Sequence, residues 1–255
     1  MTANNYSDYD RFAWVYNKHW GDIFTERVLP ILENLVLRHL PAKAHILDLC
    51  CGTGQLAQAL TVLGYQVTGL DESEEMLRFA RKNAPTSKFL LGDARSFRLP
   101  ATYHAVVSTF DSLNHIMTLK ELTSVFQNVF AALREGGPFL FDLNIEEGYQ
   151  AHWYDYSDFV ENDHVCVFHS SYHQEERTAQ FDATTFYLQE GWQRSDLTFL
   201  QKCYSETEVQ SALEAAGFTD IRAYEQNEQR GWQKLTAEAE RAFFICQKPV
   251  EAGSN

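Results

Sequence analysis

The sequence predicts an α/β protein with a mostly parallel sheet of seven strands and helices on both faces. Apolar runs of strand length alternate with helical periodicity from residue 45 onward. A Gly-rich turn at residues 50–54 joins the first strand to a helix. After residue 145 the pattern changes to alternating polar and apolar residues, which is typical of antiparallel strands. The fold class is therefore an α/β core with an antiparallel β insertion after strand five.

The first five strands follow one another in chain order, with helices between them. We expect a preliminary helix at 26–39, then strand 45–49, helix 56–63, strand 66–70, helix 74–81, strands 87–91 and 105–109, helix 118–136 and strand 139–143. Thr118 and Glu121 have capping-box spacing at the start of the long helix, and Gly136 marks its end. Strands linked by crossover helices lie parallel.

The second half of the chain interrupts this alternation with an insertion. Antiparallel strands are predicted at 164–173, 178–188 and 197–204. A helix then begins at Ser205, which forms a capping box with Glu208, and ends at Gly217. Strands at 221–226 and 242–248 complete the sheet. We expect a core of residues 1–145 and 205–250 with an N-terminal helical lid, and a cap at 146–204 belonging to the same domain unit.

Length, charge and cysteine content restrict the class of protein. A chain of 255 residues with 45% hydrophobic content can bury one full core. The net charge of −14 disfavours a nucleic-acid partner. With no apolar run of bilayer length, we expect a cytoplasmic protein without a membrane partner. Five cysteines without zinc-site spacing indicate reduced thiols, and we expect no metal site.

The Gly-rich turn fits two kinds of cofactor. Gly52-x-Gly54-x-x-Ala57 matches the dinucleotide fingerprint, and Asp71 ends the next strand at the distance of its ribose-binding acid. Asp48, at the end of the first strand, opposes a phosphate, because such a turn attracts anions through its N–H groups and helix dipole. This carboxylate favours a ligand with a cationic amino group near the turn and a ribose farther out. A dinucleotide remains the alternative.

Acidic residues also end the later strands of the predicted sheet. Asp93 and Asp111 follow the third and fourth strands, at the edge where open α/β sheets bind ligands. Met76, one turn into a helix, offers an apolar wall to a base. Each residue has a plain structural alternative: Asp71 as a helix cap, Met76 as core and Asp93 as a turn residue.

In this order the motifs resemble the class I S-adenosylmethionine-dependent methyltransferases, over nearly the whole chain from Tyr9 to Lys248. The resemblance implies a Rossmann-like fold, S-adenosyl-L-methionine as methyl donor and S-adenosyl-L-homocysteine as product. It implies that the turn holds the methionine part, Asp71 the ribose and residues 92–94 the adenine. The implied cofactor-binding residues are Tyr9, Tyr16, Asp48, Cys50, Gly52, Thr53, Gly54, Asp71, Glu72, Met76, Asp93, Ala94 and Phe110.

Two segments around the cofactor site have alternative interpretations. Cys50 stands where the family usually has glycine, so Cys50 and Cys51 are either small fillers or, at a helix N-terminus, a reactive thiol. The leader 9–17 resembles the family segment Y-D-x-x-A-x-x-Y-D, with Asn17 replacing the last acid. On a helix its aromatic residues share one face, either as core packing or as a lid over the methionine end.

The acceptor of the methyl group must lie near the segment that follows the fourth strand. His115 and Asp111 from that segment, with Tyr16 from the leader, are the candidate catalytic residues; the alternative for His115 is an ordinary polar residue. The insertion resembles the cap of small-molecule N-methyltransferases. Its aromatic and acidic entry, 153–156, favours a cationic amine or forms a dimer face, so monomer and homodimer both stay open.

We therefore expect methyl transfer to a small-molecule acceptor, with an amine nitrogen as the favoured atom. An NAD(P)-dependent oxidoreductase and a non-catalytic S-adenosylmethionine-binding protein are the alternatives.

Overall fold

The computed structural model describes residues 8–227 and 231–250. Its α-helices are α1 (Asp8–His19), α2 (Gly21–Leu35), α3 (Gln55–Val62), α4 (Glu74–Asn83), α5 (Leu119–Ala132), α6 (Glu146–His152) and α7 (Glu206–Ala216). Its strands are β1 (His45–Leu49), β2 (Gln66–Asp71), β3 (Lys88–Leu91), β4 (Ala105–Ser108), β5 (Pro138–Asn144), β6 (Tyr156–Val160), β7 (His164–His173), β8 (Thr178–Leu188), β9 (Trp192–Lys202), β10 (Thr219–Asn227), β11 (Gly231–Lys234) and β12 (Arg241–Gln247).

The larger sheet confirms the predicted Rossmann-like core. Its strand order is β11-β10-β12-β5-β4-β1-β2-β3. The strands β1 to β5 all run parallel to one another. β12 is antiparallel to β5, β10 to β12, and β11 to β10. The edge strand β11 is one strand more than predicted, because four residues are too few to show a period.

The cap sheet is antiparallel in the order β6-β7-β8-β9 and follows α6. The predicted insertion at 146–204 spans α6 and this sheet. Its edge strand β6 was not predicted from the sequence, since its residues are mostly exposed and show no alternation. β9 begins at Trp192, five residues before the predicted start, for the same reason: its first three residues are all exposed.

Capping chemistry sets the helix ends. Ser205 and Glu208 form the predicted capping box, and Gly217 ends α7 in the left-handed conformation with φ +101°. Thr118 caps α5 by accepting a hydrogen bond from the Glu121 amide. The predicted end of α5 at Gly136 is wrong: the helix ends at Ala132, because the next residues pair with Tyr103.

The helix α1 lies between the core and the cap. Its Asp10 carboxylate accepts hydrogen bonds from the Ser73 hydroxyl at 2.6 Å and the Glu75 amide at 3.2 Å. Its Asn17 side-chain oxygen accepts from the amides of Gln55 at 3.1 Å and Asn83 at 2.7 Å. Asn17 therefore keeps an acceptor where the family has an acid. Apolar residues of the opposite face pack on the cap sheet. Tyr16 of α1 borders a small cavity together with residues at the ends of β1 and β4.

Candidate active site

The Gly-rich turn lies at the end of β1, which pairs with β2 on one side and β4 on the other. The strand order reverses there, which is where open α/β sheets bind ligands. The backbone is left-handed at Cys50, Gly52 and Gly54, with φ of +59°, +52° and +82°. A Cβ on Gly54 would lie 2.8 Å from the Ala80 Cα, so glycine there lets α3 approach α4.

Asp48 carries the unusual electrostatics of the turn. Asp48 is 2% exposed, and its Oδ2 has no hydrogen-bond partner within the part of the chain that the structure describes. Burial, with a smaller contribution from Asp71, raises the pKa of Asp48 to about 8. It borders a cavity of about 20 Å³, together with Tyr16, Cys50 and Phe110. That space admits a group the size of water or ammonium.

Asp71 closes the turn and faces a second, larger cavity. Its Oδ2 accepts a hydrogen bond from the Gly52 amide at 2.8 Å, and its Oδ1 accepts from the Ser73 amide at 3.0 Å. Burial raises the pKa of Asp71 to about 6, against the effect of these two hydrogen bonds. Each oxygen keeps a lone pair for a further donor, such as a hydroxyl.

This larger cavity collects most of the predicted cofactor residues. It is lined by Tyr9, Tyr16, Cys50, Gly52, Asp71, Glu72, Met76, Gly92, Asp93, Ala94, Arg95, Phe110, Ser112, His115 and Ile116. Hereafter it is the donor cavity. Burial alone would raise the pKa of Asp93, but hydrogen bonds from Arg95 lower it. Arg95 was not predicted as a site residue; no local sequence signal marks it.

The remaining predicted residues of the turn have a different geometry. Thr53 is fully buried and donates its hydroxyl to the Gln55 side chain at 2.6 Å. Gly54 packs on Ala80, so Thr53 and Gly54 fix the shape of the turn through contacts within the protein. Burial raises the pKa of the Cys50 and Cys51 thiols well above the ordinary value. Both thiols stay protonated near neutral pH, which argues against a cysteine nucleophile.

A cavity of about 430 Å³ lies beside the donor cavity, between α1, α6 and the inner face of the cap. Hereafter it is the acceptor cavity. It is lined by Tyr9, Phe12, Tyr16, Trp20, Phe24, Phe110, Asp111, His115, Asn144, Gly148, His152, Trp153, Phe181, Phe199, Gln201, Glu240 and Arg241. Four of these, Tyr9, Tyr16, Phe110 and His115, also line the donor cavity.

The loop after β4 separates the two cavities in a strained conformation. Phe110 and Asp111 are consecutive non-glycine residues with φ of +65° and +49°. The Asp142 carboxylate accepts hydrogen bonds from both of their amides, at 2.7 and 3.1 Å. The Phe110 ring stacks on Phe24 at 4.7 Å. The buried carboxylate of β5 therefore fixes the position of Phe110.

Asp111 is held by residues that are remote in sequence. Its Oδ1 lies 2.7 Å from Nη2 of Arg241, and its Oδ2 accepts from the Gln201 amide at 2.6 Å. Arg241 also pairs with Asp142. Burial would raise the pKa of Asp111, but Arg241 and the Gln201 hydrogen bond keep it below its usual value. Asp111 is thus an ion-paired carboxylate at the edge of the acceptor cavity.

His115 lies in a 3-10 turn, Ser112–His115, where both cavities meet. Its Nε2 lies 2.8 Å from the Tyr9 hydroxyl, and its Nδ1 lies 2.9 Å from the Leu200 carbonyl oxygen. Burial lowers the pKa of His115, although Asp111 and the carbonyl oppose that effect. The ring is therefore neutral near pH 7 and carries a lone pair.

Several lining residues were not predicted from the sequence. They are Trp20, Phe24, Phe181, Phe199, Gln201, Glu240 and Arg241. The alternation of the cap strands places Phe181, Phe199 and Gln201 on one side of the sheet, but it does not show which side of the sheet faces α1. Among the described residues no group of three or more His, Cys, Asp or Glu side chains is placed to hold a metal ion. No helix in the same residues is long and apolar enough to cross a bilayer.

Comparisons with known proteins agree with this geometry. A family model described as a methyltransferase domain matches residues 46–137. A protein of Bacillus subtilis (strain 168) named "Putative methyltransferase YqeM" is 30% identical over 215 residues, 82% of this chain and 86% of that protein. The chain belongs to the class I S-adenosylmethionine-dependent methyltransferases. S-adenosylmethionine is the cofactor of this methyltransferase.

Other relatives carry more specific names. A dTDP-3-amino-3,4,6-trideoxy-alpha-D-glucopyranose N,N-dimethyltransferase of Streptomyces venezuelae is 36% identical to this methyltransferase over 106 residues, 42% of this chain and 45% of that enzyme. An S-adenosylmethionine-dependent methyltransferase from Clostridium acetobutylicum ATCC 824 shares the fold with a TM-score of 0.76 at 19% identity. That likeness covers 96% of this chain and 100% of the other.

The residues present fit the cofactor. Asp48, whose Oδ2 has no hydrogen-bond partner among the described residues, lines a space of ammonium size, which matches a cationic amino group. Asp71 keeps acceptor capacity toward the donor cavity, and Gly52 leaves room beside Tyr16, because a Cβ would lie 3.5 Å from that ring. In its ionised form Asp48 would repel the diphosphate of a nicotinamide cofactor, and in its protonated form it offers that diphosphate no positive charge.

Proposed function

We propose that this methyltransferase moves the methyl group of S-adenosylmethionine to the amine nitrogen of a small molecule in the acceptor cavity. The observation that carries the proposal is that Tyr9, Tyr16, Phe110 and His115 line both cavities. Donor and acceptor groups would therefore meet at short range inside the protein. An in-line displacement requires this proximity and the exclusion of water.

The roles of the donor-cavity residues follow from their positions. When bound, the cofactor supplies a methyl group that its sulfonium already activates. Asp48 would hold the amino group and Asp71 the ribose hydroxyls, while Met76 and Ala94 would wall the adenine and Asp93 would accept from its amine. Tyr16 would close the methionine end from α1.

The lining of the acceptor cavity supports an amine. Aromatic rings from α1, α2, α6 and the cap surround it: Phe12, Tyr16, Trp20, Phe24, Trp153, Phe181 and Phe199. The guanidinium of Arg241 is neutralised by Asp111 and Asp142. Aromatic faces attract a cation, and an apolar cavity lowers the pKa of an amine toward its nucleophilic form. The name of the Streptomyces dimethyltransferase, which acts on an amino sugar, supports the same class.

The acceptor has room for a body larger than the amine. A groove of about 760 Å³ shares five residues with the acceptor cavity, Phe24, Phe110, His152, Glu240 and Arg241. His152 and Glu240 pair across this boundary at 2.9 Å. We infer that the amine lies among the aromatic rings and the remainder of the molecule extends past this pair.

His115 would take the proton that the amine loses. Its neutral Nε2 is already hydrogen-bonded to the Tyr9 hydroxyl, which lines both cavities. Burial raises the pKa of Tyr9, so the phenol remains a donor at neutral pH. The proton can reach His115 through the Tyr9 hydroxyl or directly after that hydroxyl turns away.

Transfer of tritium from methyl-labelled S-adenosylmethionine tests the proposal. The acceptors are a panel of primary and secondary amines, including free and nucleotide-linked amino sugars, and mass spectrometry locates the methyl group. We expect an N-methyl product. Phe181→Leu should raise KM for the amine without changing cofactor affinity, whereas Phe186→Leu, on the opposite face of β8, should change neither. Methylation of hydroxyls alone, or cofactor binding with no transfer to any acceptor, would refute it.

A further inference from the structure

Gln201 links the cap to the active-site loop. It lies on β9, is 4% exposed and lines the acceptor cavity. Its Nε2 lies 2.6 Å from Oδ2 of Asp111 and 3.2 Å from Nε2 of His115. Its Oε1 accepts hydrogen bonds from the Tyr149 hydroxyl at 2.8 Å and the Asn144 amide at 3.4 Å. The two ends of this one amide thus contact four side chains.

These neighbours fix the orientation of the Gln201 amide. Tyr149 and Asn144 present donors, so the oxygen must face them. The carboxylate of Asp111 only accepts, so the NH₂ group must face it. A flipped amide would set its oxygen against the Asp111 carboxylate and its NH₂ group against the Asn144 NH₂ group, and both of these hydrogen bonds would be lost. The NH₂ group is therefore the end that meets His115.

The ring of His115 is oriented by the same strand. The Leu200 carbonyl, next to Gln201 on β9, only accepts, so the Nδ1 that faces it carries the proton. In the neutral ring the lone pair then lies on Nε2, where Tyr9 and Gln201 offer donors. A second proton on Nε2 would face the Gln201 NH₂ group.

The charged and titratable groups around His115 show why a neutral side chain matters at this point. Tyr9 faces the ring from α1, and Asp111 faces it from the loop after β4, with Arg241 of β12 behind Asp111. Without Gln201, Oδ1 of Asp111 would stay paired with Arg241, but Oδ2 would be available to pair with an imidazolium. Gln201 instead occupies an oxygen of Asp111 and a lone-pair direction of His115 at once.

We propose that Gln201 is a positioning residue that holds His115 as a neutral ring, with its proton on Nδ1 and its lone pair at the junction of the two cavities. The proposal rests on the proposed function only for the use of that lone pair as a proton acceptor. Gln201 keeps Asp111 from acting as a counter-ion to His115, and the cap thereby sets the protonation state of a residue in the core.

Nuclear magnetic resonance of the ring nitrogens and carbons of His115 across pH tests this without cofactor or acceptor. The signals are assigned by their loss in His115→Asn. We expect the Nδ1–H tautomer in the wild type. In Gln201→Glu the carboxyl shares one proton with Asp111 and presents an acceptor oxygen where the NH₂ group was, so the proton affinity of His115 should rise about tenfold or more. Gln201→Leu, which removes the hydrogen bond to Oδ2 of Asp111, should also raise the proton affinity of His115.

Gln193→Glu, an exposed glutamine on the same strand, is the matched control and should leave the titration of His115 unchanged. Circular dichroism establishes that each variant is folded. A wild-type ring protonated on Nε2, or an unchanged His115 titration in folded Gln201→Glu and Gln201→Leu, would overturn the proposal. The fall of kcat/KM at low pH should shift to the same extent as the titration midpoint of His115. If the midpoint shifts and the pH profile of kcat/KM does not, Gln201 still positions His115, and the proposed proton-acceptor role of His115 fails.

Discussion

Replacement of Asp48 by Asn should abolish a proton release that accompanies cofactor binding. The pKa of Asp48 is about 8 in the free protein, so at pH 6.5 the carboxyl is almost fully protonated. Pairing with the cationic amino group of the ligand requires the ionised form. Because the ligand's amino group is also protonated at that pH, binding should release about one proton. Between pH 6 and 7 the dissociation constant should fall nearly tenfold.

Calorimetry with S-adenosylhomocysteine, in buffers that differ in ionisation enthalpy, measures this release directly. Asp48→Asn keeps the shape of the side chain but cannot ionise, so its binding should be weaker and nearly independent of pH. Asp71→Asn is the matched control. The pKa of Asp71 is about 6, so its own effect over the same interval is roughly twofold, and the Asp48 release should persist. Equal proton release in the wild type and Asp48→Asn would refute the assignment.

Three further predictions concern stability and affinity. The pKa of Asp48 is raised from 3.8 to about 8, so the free energy of unfolding of the free protein should fall as pH rises between these values. At pH 9, chemical denaturation should find Asp48→Asn more stable than the wild type by on the order of 5 kcal/mol. Equal dependence of stability on pH in the two proteins would contradict this. Asp71→Ala should weaken S-adenosylhomocysteine binding by about 1–3 kcal/mol in calorimetry, whereas Glu74→Ala, at an exposed position, should not. Asp142→Asn should lower the free energy of unfolding by about 3 kcal/mol, because it removes a buried partner of Arg241. Asp196→Asn, which removes a carboxylate from an exposed ion pair with Arg194, should leave the free energy of unfolding nearly unchanged, and equal losses in both variants would count against the buried network.

Local chemistry explains which parts of the fold were predictable. The capping box of Ser205 and Glu208 and the left-handed Gly217 bound α7 because their hydrogen bonds lie within a few residues. Acids at the ends of β1 and β2 are likewise readable, since a parallel sheet collects its strand ends at one edge. The end of α5 was missed because the pairing of Tyr103 with Leu133 joins segments that are far apart in sequence.

The acceptor side of the site was hidden for the same reason. Gln201 and Arg241 reach Asp111 across 90 and 130 residues. Neither residue has a neighbour in sequence that reveals the contact. Asp111 was predicted as a catalytic candidate from its position after β4, but its ion pair with Arg241 depends on how β12 and the cap fold back. Sequence spacing therefore indicates the donor cavity better than the acceptor cavity.

Two features that raise the free energy of the folded chain lie in the turn after β1 and in the loop after β4. Asp48 is buried without a partner for Oδ2 among the described residues, and Phe110 and Asp111 hold left-handed backbone conformations. The first cost falls when a cationic group binds, since the ligand supplies the missing partner. The second is offset permanently by Asp142 and Arg241. Cofactor binding should therefore stabilise the turn after β1 while leaving the loop after β4 as it stands in the free protein, so that the acceptor cavity is formed before the donor arrives.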